Sequence, residues 1–330
     1  MKTKNKKIVV SGLKPSGILH IGNYLGVIKK AVELQNSSKY QCFYFIADYH
    51  SLTVNFTPQE KKEEIFNMII DTLACGIDPS KSIFFVQSHV LEHANLAWIF
   101  NNLVSTGRLS NMIEYKEKIQ EGHTPNAGLF DYPVLMSADI LLYNADFVPV
   151  GEDQLQHLEL TRDIVRAFNS RFGKTFKEPK VILTKTPRVM SLNNPYKKMS
   201  KTLPQGCLYL SDSPEIIYKK IKSAVTDSES NLSYDPENRP AISNLILIYS
   251  EFSGISPQNV VKKFKNKGYF EFKNELAEVV LKALKPIQEK RNELLKNKKG
   301  VMKILEAGAK KAKETAKINF QKIKEKIGLI

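Results

Sequence analysis

The first half of the chain alternates short apolar runs with stretches in which apolar residues recur every three or four positions. Short apolar runs are typical of buried strands, and the longer spacing is typical of helices that bury one face. The runs are IVV, CFYFIA, IFFV, FVPV and KVIL, at 8–10, 42–47, 83–86, 147–150 and 180–183. Because strand and helix alternate, we predict an α/β fold around a parallel, Rossmann-type sheet.

Helices are predicted between these strands and through the last third of the chain. The predicted ranges are 24–34, 58–76, 94–104, 133–143 and 151–172, then 214–225, 242–252, 257–264 and 276 to near the end. The last third has no strand pattern between its helices. We therefore predict that a C-terminal all-α helical domain follows the sheet domain.

These patterns suggest a division of the chain into parts. We assign 1–192 to a nucleotide-binding domain, with an insertion at about 108–130 where the apolar period weakens. Residues 193–212 have no such period and form a loop and connector, followed by a helical domain over 213–285. We expect the helices of 286–330 to pack back on the first domain.

A turn rich in glycine and proline joins the first strand to the first helix, with the sequence GLKPSGILHIGN at 12–23. A strand, a tight turn and a helix N-terminus together favour an anion, because free N–H groups of the first helical turn point towards it. The turn matches neither common phosphate-loop pattern, and it contains a histidine where those patterns use backbone alone. An ordinary connecting loop is the alternative.

The charge of the chain indicates what kind of molecule it binds. The net charge is +15, from 49 basic and 34 acidic residues, and the last 45 residues contribute 13 basic against 5 acidic side chains. A surplus of this size favours a polyanionic partner. A solvated, lysine-rich surface would have the same composition, so charge alone does not decide between them.

Other features restrict the environment of the protein. No apolar run approaches the length of a membrane helix, and no signal-peptide core follows the basic N-terminus, so we expect a cytoplasmic protein. The three cysteines lie far apart, which argues against a disulfide framework or a cysteine zinc site.

A second short motif, KMSKT at 198–202, follows the turn about 180 residues later, in a loop without apolar period. HIGN and KMSKT, in this order and context, resemble the HIGH and KMSKS signatures of class I aminoacyl-tRNA synthetases. Asn23 and Thr202 replace the last residue of each signature.

Further stretches resemble bacterial tryptophanyl-tRNA synthetases. They are PSG and HIGNY within 15–24, LMSADILLY at 135–143, PVGEDQ at 149–154, VMSL at 189–192 and IKSAVTDS at 221–228. The resemblance extends from residue 10 to about 288. It implies a homodimer that activates L-tryptophan with ATP and Mg²⁺ and charges tRNA(Trp), with 213–285 contacting the anticodon.

The resemblance also implies catalytic and nucleotide-binding residues. The catalytic set is His20, Asn23, Lys198 and Lys201. The histidine and the amide are expected to donate to phosphate oxygens, and the lysines to stabilise the leaving pyrophosphate from a closing loop. The implied ATP contacts are Lys14, Pro15, Ser16, Gly22, Asn23, Gly151, Glu152, Asp153, Val189, Lys198, Met199, Ser200, Lys201 and Thr202.

Two points about this set stay open. Many relatives have glutamine where this chain has Lys14, and the lysine either contacts phosphate or points to solvent. We expect no dedicated metal site in the protein and see no carboxylate cage for Mg²⁺, which should arrive with ATP.

Asp139 carries the prediction of the amino acid. It lies within an apolar helix, where an unpaired buried carboxylate costs several kcal/mol. Tyr132, Met136 and Tyr143 are spaced to share its face, and an acceptor in such a pocket suits the single N–H of indole. The alternative is an internal ion pair with lysine or arginine. The predicted tryptophan-binding residues are Asp139, Tyr132, Met136, Val148, Val150, Gln154 and His50. Trp98, the only tryptophan, is expected in a helix core.

Two other functions remain open. A tyrosyl-tRNA synthetase shares the fold and both signatures, although a phenol needs a donor as well as an acceptor. A non-catalytic tRNA-binding relative is disfavoured, because a pure binder does not need Lys198 and Lys201.

Overall fold

The computed structural model describes residues 6–183, 188–201, 203–229 and 231–330. In these ranges, parallel strands form one sheet in the order β3-β2-β1-β4-β5. The predicted parallel, Rossmann-type sheet is confirmed. The strands are β1 (Lys7–Leu13), β2 (Tyr40–Ile46), β3 (Ile83–Val86), β4 (Phe147–Val150) and β5 (Lys180–Leu183). Each predicted apolar run lies within, or largely overlaps, one of them.

Helices surround this sheet and make up the C-terminal third of the chain. They are α1 (Ile21–Asn23), α2 (Lys29–Asn36), α3 (Pro58–Ala74), α4 (Glu92–Asn101), α5 (Thr106–Ser110), α6 (Ile113–Gln120), α7 (Ala127–Leu141), α8 (Leu155–Phe172), α9 (Pro214–Lys222), α10 (Pro240–Ser253), α11 (Pro257–Lys263), α12 (Tyr269–Lys296) and α13 (Lys298–Ile327). A π-helical turn, Tyr24–Ile28, joins α1 to α2. The first helical segment therefore begins at Ile21, immediately after the histidine of the first motif.

The sheet has an apolar core on each face. One core contains residues of α2, α3 and the C-terminal helices, and the other contains residues of α4, α7, α8 and α13. Because both faces are covered, the central strands are apolar on both sides, which explains their continuous rather than alternating runs.

The C-terminal helices pack against the sheet domain. The guanidinium of Arg291 in α12 donates to Asp71 Oδ1 in α3 at 2.7 Å, and α12 runs without interruption through Pro286. Helix α13 lies against β3, the edge strand of the sheet. A Cβ at Gly308 would lie 1.8 Å from the carbonyl oxygen of Phe84, so only glycine permits this close approach.

Two expectations from the sequence are wrong. Trp98 is 73% exposed, because α4 buries Glu92, His93, Leu96 and Phe100 on the opposite side of the helix. Helix α7 begins at Ala127 rather than near Pro133, because the side chain of Asn126 caps it by accepting the Leu129 N–H.

The insertion contains the short helices α5 and α6. Within the described ranges, no helix combines the length and apolar composition needed to span a bilayer.

Candidate active site

The predicted site residues lie mainly at the carboxyl ends of β1, β2 and β4 and in the loop that precedes α9. In a parallel sheet these ends share one edge, where α/β folds bind their ligands. The turn after β1 reaches His20, which pairs with Tyr209 in an isolated antiparallel bridge. Ile21 N–H donates to Leu208 O at 2.9 Å, and Leu210 N–H donates to Leu19 O at 3.0 Å. Backbone hydrogen bonds thus attach the loop that precedes α9 to the turn that contains His20.

His20 is a buried, neutral hydrogen-bonding group. Only 5% of it is exposed, and its Nδ1 has no hydrogen-bond partner in the described structure. Burial and the positive charges of Lys201 and Lys198 lower the pKa of His20 to about 4. A neutral imidazole keeps one N–H and one free nitrogen. It can therefore donate to a phosphate oxygen without a prior change of protonation.

The residues around the histidine hold its ring and backbone in place. The His20 N–H donates to Asn23 Oδ1 at 3.2 Å, which leaves the Asn23 amide nitrogen as a donor. A Cβ at Gly22 would lie 3.0 Å from His20 Cε1 and Nδ1. The glycine predicted to admit adenine therefore also makes room for the imidazole.

Lys201 joins the two motifs directly. Its ammonium donates to Ser16 O at 2.6 Å, to Gly17 O at 3.0 Å and to Ser16 Oγ at 3.3 Å. Burial lowers the pKa of Lys201 to about 8. Gly17 has φ +83°, a left-handed conformation that favours glycine and turns this carbonyl. The lysine is held by neutral oxygens beside the predicted phosphate position.

The rest of the lysine loop is arranged as paired backbone segments. Met199 N–H donates to Val189 O at 3.0 Å, and Ser191 N–H donates to Lys197 O at 2.8 Å. Met199 and Val189 are both buried, and the bond between them uses the N–H of Met199 and the carbonyl of Val189. Lys198 is exposed and Ser200 is half-buried, whereas Thr202 lies outside the described residues.

Lys14 faces the insertion helix from the first turn. Its Nζ donates to Thr53 Oγ1 at 3.4 Å. Desolvation and the nearby charge of Lys118, on α6, lower the pKa of Lys14. Pro15 beside it is buried, and Ser16 is exposed. Lys14 itself is exposed, and the sequence did not indicate its neighbour Lys118.

The GEDQ stretch forms the turn that leads into α8. Gly151 precedes a 3₁₀ turn, Glu152–Gln154, in which Glu152 and Asp153 are exposed. A Cβ at Gly151 would lie 2.5 Å from Asp153 Oδ1, and Gln154 Nε2 donates to Asp153 Oδ2 at 2.9 Å. Gln154 also donates to Glu114 Oε2 at 3.4 Å, again a residue of the insertion.

Asp139 is buried and both of its carboxylate oxygens accept hydrogen bonds, but its partners are not lysine or arginine. Oδ2 accepts from His50 Nε2 at 2.8 Å. Oδ1 accepts from His93 Nδ1 at 2.6 Å and from Gln87 Nε2 at 2.7 Å. Burial alone raises the pKa of Asp139, but the hydrogen bonds from His50 and His93 outweigh it and hold the pKa below its usual value.

The other predicted pocket residues lie on α7, β4 and their surroundings. Tyr132 contacts His50 edge-on, with ring centroids 6.2 Å apart, and its hydroxyl lies 2.9 Å from His157 Nε2. Met136 lies one turn before Asp139 and is half-buried, as is Val150, whereas Val148 is buried.

Sequence reasoning missed two of the three partners of Asp139. Gln87 directly follows β3, so its place at the ligand edge of the sheet was a usable signal. His93 lies among apolar residues of α4, and no local pattern distinguishes it from a structural histidine.

Comparisons with known proteins identify the family of the chain. The family model for class I tRNA synthetases of the W and Y type matches residues 1–285. The tryptophan–tRNA ligase of Caldanaerobacter subterraneus subsp. tengcongensis is 47% identical, covering 98% of this chain and 99% of its own length. That of Helicobacter pylori is also 47% identical, covering 99% and 100%. The chain belongs to the tryptophan–tRNA ligase family.

A solved structure supports the same family assignment. The tryptophanyl-tRNA synthetase of Campylobacter jejuni, complexed with ADP and tryptophan, is 39% identical and superposes with a TM-score of 0.85. The match covers 98% of this chain and 100% of that one. The family thus accounts for both motifs and for the C-terminal helices beyond residue 285.

Proposed function

We propose that this protein activates L-tryptophan with ATP and transfers it to tRNA(Trp). The observation that carries the proposal is the contact of Lys201 with the turn that precedes His20. It brings an ammonium group and a neutral, buried imidazole to one edge of the sheet. Phosphoryl-type transfer needs this kind of positioning and charge neutralisation rather than a protein nucleophile.

In the activation step, a carboxylate oxygen of tryptophan attacks the α-phosphorus of ATP. A bond forms between that oxygen and phosphorus, and the bond from the α-phosphorus to the bridging oxygen breaks, releasing pyrophosphate. His20 and Asn23 donate hydrogen bonds to phosphate oxygens. Lys198 and Lys201 stabilise the charge that develops on the leaving group, for which Lys201 gives up its carbonyl partners.

The surrounding residues hold the nucleotide. Lys14, Pro15 and Ser16 form the wall beside the phosphates, and Gly22 leaves room for adenine. Val189 and Met199 contribute the backbone groups that their mutual hydrogen bond does not use, the N–H of Val189 and the carbonyl of Met199. The remaining proposed contacts are Gly151, Glu152, Asp153, Ser200 and Thr202.

Tryptophan binds beside this nucleotide site. Asp139 accepts the indole N–H, and the ring lies among His50, Met136, Val148 and Val150. Tyr132 and Gln154 contact the polar end of the amino acid.

Mg²⁺ enters as the complex with ATP. Among the described residues, no group of three or more His, Cys, Asp or Glu side chains is arranged to hold a metal ion. The phosphates and water therefore supply the ligands of the ion, and it adds charge neutralisation when bound.

The helical region contacts the tRNA. We assign anticodon binding to 213–285, and the net charge of +15 favours the association with RNA. The reaction takes place in the cytoplasm, where charged tRNA is used.

The protein works as a homodimer. Trp98 is 73% exposed and Leu91 is 59% exposed, and their spacing of seven residues places them near the same face of the α4 region. An exposed tryptophan beside an exposed leucine is characteristic of an interface core.

The experiment that tests the function is ATP–pyrophosphate exchange with purified protein, in parallel with tryptophan and tyrosine, followed by tRNA charging. Exchange with tryptophan and charging of tRNA(Trp) are expected. Exchange with tyrosine alone would make the protein a tyrosyl-tRNA synthetase. Binding of tRNA without any exchange would make it a non-catalytic tRNA-binding protein.

A further inference from the structure

A buried chain of hydrogen bonds extends behind Asp139, away from the predicted ligand. His93 Nδ1 lies 2.6 Å from Asp139 Oδ1, and His93 Nε2 lies 2.8 Å from the hydroxyl of Tyr143. His93 and Gln87 are completely buried, and so is Tyr143. None of these three side chains can contact bulk water, so any effect they have on tryptophan passes through Asp139.

The chemistry of Asp139 fixes the direction of its bond with His93. An ionised carboxylate only accepts, so His93 Nδ1 carries the proton. The Nε2 of the same ring is hydrogen-bonded to the hydroxyl of Tyr143. Burial and the charges of Asp139 and Glu92 raise the pKa of Tyr143, which keeps that hydroxyl protonated.

The two oxygens of Asp139 are left in different states. A carboxylate offers about four acceptor positions, two on each oxygen. Oδ1 has two donors, His93 and Gln87, whereas Oδ2 has one, His50. A further donor therefore finds its place on Oδ2, beside His50 or instead of it.

We propose that His93 is a positioning residue for amino-acid specificity: with Gln87 it occupies Oδ1 and so presents Oδ2 to the indole N–H as an ionised acceptor. The inference rests on the proposed role of Asp139 as indole acceptor. His93 does not touch the substrate, and Tyr143 acts one step further back by holding the ring of His93 in place through its hydroxyl.

Selectivity follows from the ionised state of Asp139. A carboxylate that only accepts favours a ligand with a ring N–H. When the ligand has no such donor, the buried charge of the carboxylate has no partner in the ligand. A neutral carboxylic acid can donate as well, and it discriminates less between the two ligands. His93 therefore controls the preference for indole over a ring of the same shape that has no donor.

The charged and titratable groups around Asp139 define the effect of pH. His50 faces it from the turn after β2, His93 from α4 and Tyr143 from the end of α7, with Glu92 close to Tyr143. Without the bond from His93, only His50 and Gln87 donate to Asp139, and burial shifts the pKa of Asp139 upward. Protonation then removes the ionised acceptor, so KM for tryptophan increases as pH falls.

Two substitutions separate the two nitrogens of His93. His93→Asn keeps a donor near the position of Nδ1, and His93→Gln keeps a polar group near Nε2 but loses the donor to Asp139. Pyrophosphate exchange is measured with tryptophan and with 3-(benzothienyl)alanine, in which sulfur replaces the ring N–H. We expect H93Q to lose about tenfold of the preference for tryptophan, and H93N to retain most of it. As pH is lowered, KM for tryptophan should begin to rise at a higher pH in H93Q than in the wild type and H93N, with no such rise for the sulfur analogue.

Equal losses with both substrates would overturn the proposal, because they would show that His93 only maintains the fold. Asp139→Asn separates this failure from failure of the proposed function. If D139N abolishes the preference and H93Q does not, only the role of His93 is wrong; if D139N keeps the preference, the role of Asp139 itself is wrong. If H93Q does not fold, Tyr143→Phe replaces it, and an unchanged preference in Y143F would equally overturn the proposal.

Discussion

Lys201 Nζ lies 2.6 Å from the carbonyl oxygen of Ser16, across 185 residues of sequence. The lysine loop therefore rests on the first motif while its ammonium is held by neutral oxygens. Phosphate oxygens are stronger acceptors for an ammonium than carbonyls are. The ammonium of Lys201 is thus already in position to form hydrogen bonds with the leaving pyrophosphate.

Replacing Lys201 by alanine should slow activation much more than it weakens tryptophan binding. Removing one preorganised group that stabilises transition-state charge costs about 100-fold in kcat. We expect a loss of that order in pyrophosphate exchange, with KM for tryptophan nearly unchanged. Lys197→Ala is the matched control, because this exposed neighbour contributes a backbone carbonyl but no side-chain contact to the site. An equal rise in KM would show that Lys201 binds the ground state.

The pH dependence of kcat/KM for ATP should report on Lys201. Its pKa is lowered to about 8, so the free enzyme loses this positive charge as pH rises through that value. The pKa of His20 is lowered to about 4, so the imidazole is neutral above that pH. Its titration therefore does not change kcat/KM near neutral pH. Lys201→Arg should remove the alkaline decline, since a guanidinium stays charged. A decline that persists in K201R would assign it to another group.

Local residue patterns predict some elements of this fold and not others. The five apolar runs predicted the strands, because short apolar runs between helical segments are typical of strands in an α/β fold. β2 and β3 are largely buried, whereas the edge strand β5 is not. The phase of α4 was not predictable, because its buried side contains the polar residues Glu92 and His93 and its exposed side contains Trp98. The partners of Lys201 depend on the direction of two backbone carbonyls, which no residue pattern encodes.

A methyl group at Gly22 should displace the imidazole of His20. The added Cβ of Gly22→Ala would lie 3.0 Å from two ring atoms, closer than ordinary contact. Small displacements of catalytic groups are costly, and we expect about a tenfold loss of kcat/KM for ATP. Gly107→Ala is the control, because a Cβ there meets no atom within 4 Å. Unchanged kinetics in G22A would mean that the ring of His20 is free to shift.

A charge at position 98 should dissociate the proposed dimer. Trp98→Lys places an ammonium at the centre of the apolar face around α4, where it would lose its water on association. Light scattering should show a shift towards the monomer for W98K. Phe270→Lys serves as control, because Phe270 is 70% exposed on α12 and outside this face. A wild-type protein that is already monomeric, or a dimer that W98K leaves intact, would contradict the assignment.

Gly308 should be required for the closure of the sheet edge by α13. An alanine in a helix is normally about 1 kcal/mol more favourable than glycine, so Gly308→Ala would stabilise the chain if space allowed. Here the new Cβ would lie 1.8 Å from Phe84 O, a backbone atom that cannot rotate away. Overpacking of this kind costs about 1–3 kcal/mol, and we expect a net loss in the free energy of unfolding measured with urea. Separation of α13 would also expose β3 as a free edge, so G308A should aggregate more readily on heating than G107A. An increase in stability would show instead that α13 can move away from β3 without cost.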